Sequence, residues 1–264
     1  MRKPLIVGNW KMYKTITEAV AYVDRIKAQL PPADQVEVEL AVPTLFLQSL
    51  VERTRGTNLK IAAENCFYQD EGAFTGETSP VALRELGIKH VILGHSERRR
   101  LFYESDAVVN QKVHAALQAG ICPLLCVDET MKRQVQGDRV QWVVSQVLTG
   151  LAGVTAAQLP RVTLAYEPSW AIGAGKAAAT PSEANEGCYL IRQTLARLYG
   201  ESAAARVRIL YGGSVNQTNL PALLAQSDID GVLIGRASLD PAVFLQMVAV
   251  AQQIMNGNDE GSSK

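Results

Sequence analysis

The chain has 264 residues, 47% of them hydrophobic, with 26 Lys plus Arg against 26 Asp plus Glu. That size and apolar content suit one or two globular domains with a sizeable core, or one large α/β barrel. A net charge of zero, without a basic stripe or an acidic tail, argues against a nucleic-acid partner, so attraction for an anionic ligand must be local.

Short apolar runs alternate with amphipathic stretches along the whole chain. The runs at 5–9, 36–42, 59–63, 90–93, 122–127, 162–166, 207–211 and 231–234 read as strands. Helices are expected at 17–30, stopped by Pro31-Pro32, and from Pro43-Thr44 onward. The next is expected from Ser79-Pro80 to Gly87, with Ser79 as the cap and the proline at the first helical position. Further helices are expected at 96–101, 105–118, 129–151, 182–199, 217–225 and 241–255. Ser96 is a plausible cap for the first of these. Eight such units in about 250 residues, with strands apolar on both faces, fit a single (β/α)8 TIM barrel of the α/β class. A doubly wound open sheet would need weaker edge strands, and none reads that way. Residues 1–255 form one domain in this reading, and the polar tail 256–264 is expected to be disordered.

Cys66, Cys122, Cys126 and Cys188 lack the spacing of a disulfide framework or zinc site and read as buried free thiols in a reducing cytoplasm. The apolar run after Met1-Arg2-Lys3 stops at Gly8-Asn9, too short for a signal peptide, and no stretch approaches a membrane span.

In such a barrel, sites form at the C-terminal strand ends. The polar residues expected there are Asn9 and Lys11; Glu64 and Asn65; His95 and Glu97; Asp128 and Glu129; Glu167; Gly212, Gly213 and Ser214; and Gly235 and Arg236. Strand six delivers Glu167 to its tip. A small-residue loop follows, made of Pro168, Ser169, Trp170, Ala171, Ile172, Gly173, Ala174, Gly175, Lys176, Ala177 and Ala178. An acid on a strand tip before a hinge and a cover suggests a base under a lid. The glycine turns after strands seven and eight stand where barrels bind phosphate through backbone N–H groups. His95, beside a helix N-terminus, should stay neutral and able to donate. Proton abstraction next to a carbonyl fits this set: Glu167 takes the proton, His95 polarises the carbonyl, and Lys11 offsets the enediolate charge.

Other classes fail on detail. Gly173-Ala174-Gly175-Lys176-Ala177-Ala178 fits a dinucleotide fingerprint only superficially, because it does not follow its strand at once. A phosphate-binding Walker loop would need glycine at Trp170 and Ser or Thr at Ala177. His90, His95 and His114 lack metal-ligand spacing, and no nucleophile elbow exists.

From Gly8 to about Met255 the sequence resembles the triosephosphate isomerase family. The resemblance rests on Gly8-Asn9-Trp10-Lys11-Met12, Gly72-Ala73-Phe74-Thr75-Gly76-Glu77, Gly94-His95-Ser96-Glu97-Arg98-Arg99, Ala165-Tyr166-Glu167-Pro168, Trp170-Ala171-Ile172-Gly173, Tyr211-Gly212-Gly213-Ser214-Val215 and Ala237-Ser238-Leu239. That family is the standard example of a glutamate base, a neutral histidine and a closing loop, so these role assignments agree with it without being independent of it. The resemblance implies interconversion of dihydroxyacetone phosphate and glyceraldehyde 3-phosphate, in glycolysis and gluconeogenesis, without cofactor or metal. It implies Glu167 as base and His95 as electrophile, with Asn9, Lys11 and Glu97 in the site. It implies phosphate contacts from Gly173, Ser214, Gly235 and Arg236. It also implies a homodimer in which Phe74, Thr75 and Gly76 reach the partner's site and brace Asn9 and Lys11. The chain departs from the family pattern at Tyr13, Asp128, Arg236 and the C-terminal half of the lid. Two alternatives therefore stay open: an isomerase of a related ketose phosphate, such as a tetrulose phosphate, and a non-catalytic barrel that binds a phosphorylated metabolite.

Overall fold

The computed structural model describes residues 2–171 and 177–261, with residue 134 and residues 258–261 described at the backbone alone. The strands are β1 (Leu5–Asn9), β2 (Glu37–Val42), β3 (Leu59–Ala63), β4 (His90–Leu93), β5 (Cys122–Glu129), β6 (Thr163–Pro168), β7 (Ile209–Tyr211) and β8 (Gly231–Ile234). All pair in parallel and in chain order, and β8 returns to β1 with Leu5 opposite Gly231 and Gly8 opposite Ile234. The expected eight-stranded barrel is therefore closed.

Period-two alternation divides each strand between two cores. Val7, Ala41, Ala62, Ile92, Leu124 and Leu233 fill the barrel interior. Their neighbours Ile6, Leu40, Ile61, Val91, Leu125 and Val232 face outward into the larger core under the helices.

The covering helices are α1 (Ile16–Ile26), α2 (Leu47–Thr54), α3 (Pro80–Glu85), α4 (Ser96–Leu101), α5 (Asp106–Gln118), α6 (Met131–Gln136), α7 (Arg139–Gly150), α8 (Pro181–Tyr199), α9 (Glu201–Ala204), α10 (Leu220–Leu224) and α11 (Pro241–Gly261). Ser79 caps α3 as expected, its hydroxyl accepting from the N–H groups of Val81 and Ala82. Thr180 and Glu183 form a capping box that starts α8 directly behind the lid. Gly187 on α8 lets that helix lie against β6, because a Cβ there would sit 2.2 Å from the Tyr166 ring.

Several boundaries differ from the sequence reading: α1 ends at Ile26 and not at residue 30, β7 begins at Ile209 and not at 207, and four others differ for local reasons. The expected helix 129–151 is two helices, α6 and α7, interrupted at Gly137, whose φ of +72° leaves the helical region. Its first residue instead belongs to β5, since the ladder continues through Asp128 opposite Glu167 and Glu129 opposite Pro168. The helix expected at 217–225 begins later, because the Asn216 side chain takes the N–H groups of Thr218 and Asn219 into a turn. The last helix passes the expected end at Met255 and runs to Gly261, so residues 256–261 are helical rather than a structureless tail. The remainder of that tail, 262–264, lies outside the described residues.

Among the described residues, no helix is long and apolar enough to cross a membrane. The four cysteines are unpaired; Cys66, Cys126 and Cys188 are buried as expected, and Cys122 is only half-buried.

Candidate active site

The rim begins at the end of β1. Asn9 is buried, and its side-chain oxygen accepts the backbone N–H of Lys11 at 3.1 Å. That bond helps hold Lys11 in the left-handed region, φ +54°, which an L-residue adopts at a cost of about 1 kcal/mol or more. The strained backbone turns the lysine inward. Its ammonium donates to Glu97 Oε1 at 2.7 Å, on the first turn of α4. It also lies 3.8 Å from where a Cβ on Gly235 would stand, so the cation faces the turn after β8.

Gly94, φ +69°, ends β4 and swings the chain into α4. His95 is itself the cap of α4, not Ser96 as expected: its Nδ1 accepts the Glu97 N–H at 3.2 Å. An acceptor Nδ1 leaves the ring proton on Nε2, which points to the neutral imidazole. Ser96 serves differently, donating its backbone N–H to Glu167 Oε2 at 2.8 Å. The other oxygen, Oε1, lies 2.8 Å from His95 Nε2 but without hydrogen-bond alignment. Glu167 is fully buried. Burial alone would raise its pKa, but His95 and the Ser96 N–H more than offset that and draw it below the usual value. For His95, burial opposes a charge, while the adjacent carboxylate favours one and pulls the pKa up. A second proton would have to go on Nδ1, which already accepts the Glu97 N–H.

The end of β5 anchors the lid that follows β6. Glu129, 1% exposed, takes the Tyr166 hydroxyl at 2.7 Å and the Trp170 indole N–H at 3.0 Å. Its carbonyl accepts from the Ser169 hydroxyl at 3.2 Å. The sequence reading placed Glu129 at a strand end without giving it a task. The available signal was an acid at the tip of one strand beside a Tyr and a Trp flanking the tip of the next. Ser169–Ala171 form one turn of 3-10 helix, and Ala177 and Ala178 are exposed. The lid residues Ile172, Gly173, Ala174, Gly175 and Lys176 lie outside the described residues, and the proposed phosphate contact of Gly173 with them.

The glycine turns sit against this machinery. Gly212 donates to the Tyr166 carbonyl at 2.8 Å, and a Cβ on it would meet Glu167 Cγ at 3.0 Å, so glycine there lets the turn approach the carboxylate. Ser214 is partly exposed, its carbonyl held by the Asn219 amide. Arg236 opens a short 3-10 turn after β8; its side chain is exposed and makes no hydrogen bond or ion pair with a described residue.

Glu64, at the tip of β3, has a buried Oε1 without a partner. Burial, reinforced by the charge of Glu97, pushes its carboxyl up to about 8. A folded-state pKa above the ordinary 4.5 means that the folded chain binds this proton more tightly than the unfolded one. Stability is therefore full below pH 4.5 and declines as pH rises towards 8, by about 3–5 kcal/mol. Glu64→Gln removes the titration. Urea unfolding should show the variant gaining several kcal/mol over wild type at pH 9 but little at pH 5; an equal difference at both values would contradict the assignment.

The expected interface residues Phe74, Thr75 and Gly76 all lie exposed on the loop after β3, where Phe74 stacks on Phe67 at 4.6 Å between ring centres. Exposed apolar side chains also stand on the loops after β1, β2 and β4: Met12, Leu45, Phe102 and Tyr103. Among the described residues, the group with metal-ligand spacing, Glu37, Glu39 and His90, lies at the opposite end of the barrel. Lys60 and Arg208 already occupy the Glu37 carboxylate, so those residues are poorly suited to hold a cation.

A closed (β/α)8 barrel carrying a buried carboxylate, an imidazole and an ammonium at one mouth defines an aldose–ketose isomerase type of site. Comparison with known proteins agrees. The family model described as triosephosphate isomerase matches residues 4–251. The triosephosphate isomerase of Lactiplantibacillus plantarum is 48% identical over 248 residues, covering 94% of this chain and 98% of that protein. The triosephosphate isomerase of Latilactobacillus sakei subsp. sakei is 47% identical over the same length and coverage. The chain belongs to the triosephosphate isomerase family.

Proposed function

We propose that the chain interconverts dihydroxyacetone phosphate and glyceraldehyde 3-phosphate, with Glu167 moving the proton. Glu167 leaves the Ser96 N–H and takes a proton from the carbon beside the carbonyl. Without the Ser96 donor and out of water, the carboxylate becomes a stronger base. His95 gives its Nε2 proton to the developing oxyanion and takes the proton of the neighbouring hydroxyl in return, so the proton passes between the two oxygens, while the Lys11 ammonium offsets the charge of the enediolate. The same carboxyl then returns the proton to the neighbouring carbon. The backbone N–H groups of Gly173, Ser214, Gly235 and Arg236 would hold the phosphate, with Lys11 beside them. A closed lid keeps water from an enediolate that can otherwise eliminate phosphate. The observation that carries this reading is the meeting of Glu167 and His95, from different strands, at one buried point 2.8 Å apart.

A coupled assay tests it. Turnover of dihydroxyacetone phosphate should exceed that of a tetrulose phosphate by about 10²-fold in kcat/KM, because one extra CHOH unit must fit under the same lid. The reverse order would favour the longer ketose phosphate, and binding without turnover would favour a metabolite sensor.

We also infer a homodimer in the cytoplasm. The exposed apolar side chains on the loops after β1 to β4 lie on one side of the mouth, where a second copy would cover them. The buried free thiols suit a reducing compartment. Sedimentation should give twice the 28.6 kDa chain mass, and a monomer at micromolar concentration would contradict the dimer.

A further inference from the structure

Asp128 is a second buried carboxyl at the mouth, unused by the mechanism above. It is 6% exposed and stands directly opposite Glu167 in the β5–β6 register. Its backbone is pinned on both sides: the Gln146 side chain accepts its N–H at 3.0 Å, and the Trp142 indole donates to its carbonyl at 2.8 Å. The position of the side chain is therefore set by α7. Its Oδ1 is buried and has no hydrogen-bond partner. Ser169, on the first turn of the lid, stands nearby, with its hydroxyl donating to the Glu129 carbonyl.

We propose that Asp128 is a positioning residue for the base: its buried carboxylate, held by α7 one strand from Glu167, strengthens Glu167 as a proton acceptor. The inference rests on the reading of Glu167 as the base. The physical step is simple. Abstraction turns a charged Glu167 into a neutral one, and a fixed negative charge next to it favours that change. The other groups facing Asp128 are Arg99 from α4, His95 at its cap and Cys126 on β5 itself. Burial, with the like charge of Glu167, pushes the Asp128 carboxyl up to about 6 against the pull of Ser169, Arg99 and His95. It is thus ionised at neutral pH and protonated in mild acid.

The test is kcat/KM for dihydroxyacetone phosphate from pH 5 to 9 in wild type, Asp128→Asn and Asp128→Gly. Asparagine keeps the shape but carries no charge. The ratio of wild type to Asp128→Asn should be near one at pH 5 and rise through pH 6 to about threefold or more above pH 7, the effect of roughly one pKa unit in the base. Ionisation of the substrate phosphate cancels in that ratio. Asp128→Gly should show the same pH-dependent rise, and it serves if the asparagine variant folds poorly. A ratio that is flat across pH, whether at one or above it, overturns the proposal. Glu167→Gln run alongside separates the two readings, since retained activity there would remove the base whatever Asp128 does.

Discussion

Replacing Glu167 by glutamine is expected to lower kcat about 10³–10⁴-fold, roughly 4–5.5 kcal/mol of barrier, with KM changed little. The amide cannot accept the proton, yet it fills the same volume. Its oxygen can still take the Ser96 N–H that holds the carboxylate at 2.8 Å. Because Glu167 is fully buried with the Ser96 N–H as its donor, a neutral isostere that keeps this bond should not unfold the chain. Circular dichroism and a melting curve close to wild type would assign the loss to chemistry. Activity within tenfold of wild type would remove Glu167 from the proton path.

The second large effect is expected at Lys11. Lys11→Met keeps the apolar stem but deletes the ammonium that faces both Glu97 and the Gly235 turn. Removing a pre-placed charge from a developing oxyanion costs about 10²–10³ in rate. Here kcat/KM should fall by at least that much, with KM rising as well, because the same cation lies beside the turn proposed to hold phosphate. The variant leaves Glu97 without its cation, but that carboxylate is about one-third exposed, so water relieves most of the cost. A loss confined to KM would limit Lys11 to phosphate binding, and a loss below tenfold would exclude it from both tasks.

The strands were legible in the sequence because apolar runs bounded by glycine, proline and polar residues carry their own ends. β1, β3, β4 and β8 start and stop where the pattern says. The ends of β5 and β6 were not legible. They are set by pairing with each other, and the two polar residues Asp128 and Glu167 extend that ladder although neither favours a strand. The break at Gly137 could be read only weakly, since an isolated glycine in a helical pattern is usually tolerated.

At the site, residue types at strand tips pointed to Glu167, His95 and Lys11. They could not show which atoms meet. That His95 caps its own helix, and that Ser96 offers its backbone rather than its hydroxyl, depends on the left-handed turn at Gly94. Glu129 was missed for a related reason: its partners, Tyr166 and Trp170, are distant in sequence and come together only when β5 and β6 pair.

The claim at the centre of this account is that isomerisation proceeds by proton transfer through Glu167 and not by a direct hydride shift between carbons. Conversion of dihydroxyacetone phosphate in deuterium oxide, with the aldose trapped as it forms, measures this most directly. A carboxyl group that holds the abstracted proton can exchange it with solvent before returning it, so the glyceraldehyde 3-phosphate should carry deuterium at C2. Aldose with only the original hydrogen at that carbon would contradict the account.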